Sequence, residues 1–589
     1  MNMEGFKKYE NFQVAAYVFA YYLADADEAT IQRGIDFYKK HIHLDKVYIE
    51  NHRGKVDVPQ DKLRMAKAVF EKNGIRTAGG ITSTQFVNGI RKPSYYDTFC
   101  YTDPDHRTEY LRIVKELAEV FDEIILDDFF FTGCRCEMCI EQKGNRSWSR
   151  YRLDMMEQFS HEIVDLARSV NPKMNFIIKY PNWYEGYQET GYNPGKQKDI
   201  FDMIYTGTET RDPIYSAQHL QRYESYSIIR LMENIAPGRN GGGWIDPYGS
   251  SDNMNAYLEQ ADLTMLAKAK ELMLFNFSVM EDTSMLPALG HNLYRIDRMV
   301  GLAGNPVGVS AWEPYDGEGE DQLFNYLGMC GLNVEPTPEF DETAPVVLFT
   351  QSTAHAPDAM EKLEKYVRNG GNAVVTAGFF REMYDKGIKD FTSVRLTHRH
   401  VMGNEYMINH ANYTDAHYAI APEKVMFEIL DYRTNASVAD IAVIADECNF
   451  PILTEDNYGN GRFFILNAPE NFADLYKLPL EVVRGINKHL SMGQRMYLGC
   501  TPKFNLFAYD NNVYAIRSYR PMADTCQVIV RGKCKGLKDL ETGTVYEACL
   551  PLATPCPRGD ATCIIEEPAE FAFPIKLAPG TMKFLQIID

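Results

Sequence analysis

The sequence predicts a (β/α)8 TIM barrel, then a doubly wound α/β domain, then a small C-terminal β-sandwich. Three observations carry that prediction. Over roughly the first 335 residues, apolar runs of strand length alternate with amphipathic helical stretches. After Pro336-Thr337-Pro338 a new strand–helix–strand series begins. The last part of the chain is strand-and-turn sequence rich in Pro and Gly.

Eight strands are expected in the barrel, at Phe12–Ala20, Lys46–Glu50, Arg76–Ile81, Glu123–Asp128, Met174–Tyr180, Asp202–Thr206, Gly241–Asp246 and Leu272–Val279. Helical runs such as Arg107–Val120, Tyr151–Val170 and Asn255–Lys270 separate several of them, as a barrel of this kind requires. The seventh strand is the weakest, because GRNGGGW is Gly-rich. In the second domain, Ala344–Phe349 reads as a buried strand, Asp358–Asn369 as a helix ending at Gly370-Gly371, and Ala373–Thr376 as the next strand, with Leu480–Leu490 a closing helix. The expected domains are residues 1–335, 340–492 and 495–589.

Composition narrows the function classes. A chain of 589 residues exceeds one core. Its 61 basic and 81 acidic side chains give a net charge of -20, which argues against nucleic acid or an anionic membrane as partner. No apolar run reaches transmembrane length. Acidic and aromatic residues interrupt the N-terminal stretch and no small-residue cleavage site follows, so no signal peptide is expected and the expected compartment is cytoplasmic, or periplasmic if an export signal precedes this sequence. Four of the 12 cysteines cluster, and all are expected as reduced thiols.

In such a barrel the reactive groups gather at the carboxyl ends of the strands. Glu50 ends strand two, Asp127-Asp128 strand four, and Lys179 strand five, with Trp183 just beyond. Glu209 follows strand six, and Trp244 and Asp246 end strand seven. Carboxylates with aromatic rings between them suit glycoside cleavage. One carboxyl protonates the leaving oxygen, a second attacks or activates water, and aromatic faces hold the sugar. Asp128, Glu209 and Asp246 are the catalytic candidates; Glu50, Asp127, Lys179, Trp183 and Trp244 are the substrate-binding ones. A structural role competes at each: a turn cap, an ion pair with Arg211, or core packing. Strand alternation is expected to turn Asp127 and Asp128 to opposite sides.

Cys134, Cys136 and Cys139 offer three soft ligands on one loop, and Cys100 on the neighbouring βα loop offers a fourth. Four thiolates complete a tetrahedral zinc shell and leave no open position, so the expected cofactor is a structural zinc.

The Cys in Phe-Cys-Tyr-Thr-Asp-Pro-Asp-His-Arg, with Cys-x-Cys-x-x-Cys after strand four, resembles the zinc site of glycoside hydrolase family 42. The segment Leu363–Val375 resembles part of that family's amidotransferase-like trimerisation domain. Thr376-Ala377-Gly378-Phe379 stands where an amidotransferase carries its nucleophilic Cys, so the resemblance implies an inert domain that associates subunits, as a trimer or dimer. The chain departs from the family at the end of strand four, where Leu-Asp-Asp-Phe replaces an Asn-Glu pair. That run is similar to barrels placing an Asp nucleophile on strand four and an acid/base on strand six. The resemblance therefore implies Asp128 as nucleophile and Glu209 as acid/base, with Asp246 second. The expected function is an exo-acting glycosidase on a galactoside or related hexoside; a catalytically inactive carbohydrate-binding barrel is the alternative.

Overall fold

Eight parallel strands in the first half of the chain run Gln13–Val18 (β1), Lys46–Gly54 (β2), Arg76–Gln85 (β3), Glu123–Leu126 (β4), Asn175–Tyr180 (β5), Met203–Gly207 (β6), Asn240–Ile245 (β7) and Glu271–Phe275 (β8). Each pairs with the next, and β1 pairs with both β2 and β8, so the sheet closes on itself. This computed structural model describes residues 7–85, 97–216, 220–250, 253–408, 417–552 and 570–589. It divides into two units, Met1–Gly301 and Leu302–Asp589. Among the described residues, no helix is long and apolar enough to cross a membrane.

The barrel interior is packed with large side chains from successive strands, among them Tyr17, Tyr48, Ile125, Ile177, Tyr205, Trp244 and Met273. The Gly-rich β7 is buried at all six positions. A Cβ on Gly242 would collide with the Glu271 carbonyl, so close strand approach explains what looked like weak strand sequence. The helix after β4, Trp148–Val170, starts where the Ser147 side chain accepts from the Arg150 amide at 3.1 Å. At the amino-terminal mouth, Lys46 of β2 bridges Glu123 of β4 at 2.8 Å and Glu271 of β8 at 2.9 Å. That end of the barrel is tied by charge and leaves the chemistry to the other end.

The second unit contains the expected α/β sheet and extends it with an antiparallel ribbon. Its sheet contains Val309–Trp312 (β9), Val334–Thr337 (β10), Val346–Phe349 (β11), Asn372–Thr376 (β12), Arg395–Ile408 (β13), His417–Asp431 (β14), Val438–Ala445 (β15), Cys448–Tyr458 (β16) and Gly461–Leu466 (β17). The order is β10-β9-β11-β12-β17-β16-β15-β13-β14. The first five strands are parallel; from β17 onward the pairings are antiparallel. The long ribbon is hard to read in sequence because apolar Tyr418 and Ile420 face outward as well as Ala419 and Ala421 inward, which blurs the period of two. Strands β9 and β10 belong to this sheet, so residues 302–335 do not extend the barrel. The end of the chain forms two antiparallel sheets, one around Phe504–Tyr509, Val513–Ser518 and Met582–Ile588, the other around Asp524–Arg531 and Glu570–Leu577. Their inner faces share one core, including Leu506, Ile516, Val528, Phe573 and Leu585.

Candidate active site

Lys179, at the carboxyl end of β5, is the centre of the site. Its side chain is 1% exposed, and its Nζ lies 3.0 Å from Asp128 Oδ2, 3.4 Å from Glu209 Oε1 and 3.5 Å from Asp127 Oδ1. Burial opposes its charge, but the three carboxylates outweigh burial and hold it firmly protonated. The Trp244 ring lies beneath, 4.3 Å from Nζ to the ring centre.

Strand β4 stops at Leu126, and this redirects the paired aspartates. The Asp127 amide still bonds the Ile81 carbonyl of β3 at 2.9 Å, and its Oδ1 accepts from the Asp128 amide at 2.8 Å. The chain turns there, so alternation no longer applies and both carboxylates reach Lys179. The expected opposite orientation is thus overturned. Asp127 also accepts from Arg53 and from Thr82 Oγ1, each at 3.0 Å. Burial pushes its proton affinity up, yet Lys179 and Arg53 prevail and hold it down to about 2. Asp128 behaves oppositely. Burial, Asp127 and Glu209 together outweigh Lys179 and raise its proton affinity well above the usual carboxylate range. Its side chain is 20% exposed, against 5% for Asp127 and for Glu209.

Glu209 is set by the loop after β6. The Asn182 side chain donates to its carbonyl at 3.0 Å, and the Thr208 amide bonds the Trp244 carbonyl at 2.8 Å. Among the described residues, no donor reaches its buried Oε2.

The remaining candidates separate into support and lining. Asp246 is clamped by Arg211, at 3.0 Å and 2.7 Å through two guanidinium nitrogens, and accepts from the Tyr248 amide at 3.0 Å. Burial raises its proton affinity against that clamp. Its carboxylate is thus held by Arg211 at the end of β7. Glu50 is fully buried and accepts from Tyr17, Thr82, Arg53 and the Ala20 amide, so its expected role as a sugar ligand gives way to orienting Arg53. Trp244, 2% exposed, is tilted against Tyr17 and stacked on Phe275 in the barrel core, so it offers no open face to a sugar. Trp183 is half-buried, edge-on to Phe131 and near Tyr192. It remains available as an aromatic platform.

Arg53, Thr82, Asn182 and Tyr192 were not singled out in the sequence as site residues. Tyr192 donates to the Asp128 carbonyl at 2.6 Å, which fixes the turn that aims the carboxylate. Only Arg53 left a signal, as a cation three residues beyond Glu50 at a strand tip; the others act through contacts between distant loops.

The four cysteines come together as expected. The sulfurs of Cys100, Cys134, Cys136 and Cys139 all lie within 4.8 Å of one another. Cys100 is 3.8 Å from Cys136 and 3.5 Å from Cys139, and Cys136 is 3.6 Å from Cys139. A tetrahedral shell with metal–sulfur bonds of about 2.3 Å has edges of about 3.8 Å, so the cluster could hold a metal ion with little movement.

Comparison with known proteins agrees with this geometry. The sequence profile named "Probable glycosyl hydrolase, catalytic domain" matches residues 2–300. The "Probable glycosyl hydrolase, C-terminal domain" profile matches residues 495–586, and the second domain of the uncharacterized protein SSO3021 matches residues 304–471. Uncharacterized protein SSO3021 of Saccharolobus solfataricus is 25% identical over 417 residues, 64% of this chain and 68% of that protein. Among solved structures, the β-galactosidase of Bacillus circulans sp. alkalophilus is similar at a TM-score of 0.63 and 11% identity, over 98% of this chain and 99% of that one. A catalytic mutant of Gan42B, a GH42 β-galactosidase from G. stearothermophilus, is similar at 0.64 and 10% identity, over 98% and 99%. At such identities these two structures speak for the fold. The profile match spans half the chain, and with the closed barrel it establishes that this chain belongs to the family of probable glycosyl hydrolases.

Proposed function

We propose that the protein is an exo-acting retaining glycosidase on a galactoside or related hexoside, with Asp128 and Glu209 as its catalytic pair. The observation carrying this reading is the single Lys179 ammonium that both carboxylates approach. Among the described residues, five buried or half-buried carboxylates (Glu50, Asp127, Asp128, Glu209, Asp246) face three cations (Arg53, Lys179, Arg211) around it. Arg53 and Lys179 keep Asp127 ionised, and Arg211 is bound to Asp246. Excess negative charge in a desolvated site is relieved by a proton, and the raised affinity of Asp128 makes it the holder.

This favours Asp128 as the general acid and Glu209 as the nucleophile, the reverse of the assignment that the family resemblance implies. Asp128, the more open of the two, protonates the leaving oxygen. Glu209 Oε2 attacks the anomeric carbon, and a glycosyl ester forms as the aglycone departs. Asp128, now ionised, takes a proton from the water that cleaves the ester. The Asp128 and Glu209 oxygens at Lys179 can be no further apart than the sum of their distances to Nζ, 3.0 Å and 3.4 Å. Two carboxyls gathered on one ammonium favour the close spacing of a retaining pair over the wider one that admits water in an inverting site. A panel of aryl glycosides, with the first-formed anomer followed by NMR, tests the reading: retained configuration is expected. Sugar binding by calorimetry with no turnover anywhere in the panel would establish the inactive carbohydrate-binding barrel instead.

We assign zinc to the four thiolates as a structural ion that pins the loops after β3 and β4. The loops carry Cys100 and Cys134, and the Thr132 amide bonds the Thr190 carbonyl at 3.1 Å, reaching the segment that also holds Tyr192. Cys139→Ser is expected to release one equivalent of zinc to a chromogenic chelator and to lower the melting temperature; an unchanged metal content rules the assignment out. We propose the β13–β14 ribbon as the surface for subunit association, because Met402, Tyr418 and Ile420 stand 56%, 69% and 72% exposed there. Light scattering should give a dimer or trimer, and a monomer would refute that placement.

A further inference from the structure

In the second unit, far in sequence from the cysteines, three metal-ligating side chains of a different chemistry converge: Asp440 of β15, Glu455 of β16 and His489 of the helix Leu480–Leu490. One ligand atom of each lies within 4.8 Å of the others. We propose that Asp440, Glu455 and His489 form a second metal site, for a divalent ion of the zinc or manganese type with water completing its shell.

The local backbone is built to bring Asp440 there. Ala439 pairs with Thr454 and Ile441 with Leu453, so Asp440 is the extra residue of a β-bulge. Bulges re-aim a side chain out of the alternating pattern. Glu455 sits on the neighbouring strand opposite Val438 and Phe464. His489 arrives from the last turn of the helix packed over them, its ring 5.6 Å from that of Phe464.

Two observations point to a ligand. Asp440 Oδ2 is buried and no donor reaches it; His489 Nε2 stands 3.8 Å away, beyond hydrogen-bonding distance. That spacing is near the edge of about 3.4 Å for a tetrahedral shell with ligand bonds of about 2.1 Å. The donor set also suits the ion: one imidazole nitrogen and two carboxylates match zinc or manganese, and their two negative charges offset its charge. Arg462 Nη1 lies 3.6 Å from Glu455 Oε1, so a bound ion would compete with it for that carboxylate.

Manganese separates this site from the thiolates, which are too soft to favour it. Metal-stripped full-length protein should take up one equivalent of Mn2+, read as loss of the free-ion EPR spectrum. The Asp440→Asn/Glu455→Gln double variant should take up none, and His489→Gln should bind at least about tenfold more weakly. After dialysis against zinc, the wild type should retain two equivalents and the double variant one. If the double variant misfolds by circular dichroism, His489→Gln alone decides the question. No manganese uptake by the wild type, or equal uptake by wild type and His489→Gln, overturns the proposal.

Discussion

Glu209→Gln is expected to abolish turnover of every glycoside, good and poor leaving groups alike, lowering kcat/KM by roughly 10⁴-fold or more. The amide keeps the shape and the Lys179 contact but cannot form the glycosyl ester. Asp128→Asn should behave differently. Substrates whose aglycone needs a proton should slow by roughly 10²–10⁴-fold, while dinitrophenyl glycosides should still release phenolate in a first burst. The pH profile gives the second signature. Asp128 must carry its proton to act, and its affinity is raised, so the alkaline limb of kcat/KM should lie well above the ordinary carboxylate range. In Asp128→Asn that limb should vanish. If Glu209→Gln bursts with dinitrophenyl glycosides and Asp128→Asn does not, the roles are exchanged.

The second large effect is on stability. Lys179→Met removes the ammonium from three carboxylates in a buried site, a change expected to destabilise the barrel by about 3–5 kcal/mol at neutral pH. The sign of its pH dependence distinguishes this from lost packing. In the wild type, Asp127 is held below its unfolded value, so its contribution is present at neutral pH and fades as pH falls toward about 2. Without Lys179 the cluster's proton affinities rise above their unfolded values. The variant should therefore be most stable at mildly acidic pH and lose stability as pH rises. Urea unfolding at several pH values checks this; a deficit independent of pH would mean that Lys179 acts through packing.

The barrel was legible because each strand ends where polar or charged residues meet the strand period, and all eight expected strands are present with only their ends shifted. The cysteine cluster was legible for a similar reason: four soft ligands on adjacent βα loops have one geometry that satisfies them all. The catalytic region was only half legible. Sequence placed Asp127, Asp128, Lys179 and Glu209 at strand ends, but not that β4 ends two residues early and so turns both aspartates inward. Nor could it show Arg211 bound to Asp246, or Trp244 turned into the core, because both follow from how β6 and β7 meet. The antiparallel ribbon of the second unit escaped because apolar side chains lie on both of its faces.

Trapping the glycosyl ester would show whether Glu209 is the nucleophile and Asp128 the acid. The protein would be incubated with 2,4-dinitrophenyl 2-deoxy-2-fluoro-galactosides of both anomers, then digested and mapped by mass spectrometry. The account predicts one stoichiometric fluoroglycosyl label, carried by the peptide containing Glu209 and absent in Glu209→Gln. A label on Asp128, or rapid turnover with inverted product and no label, would contradict it.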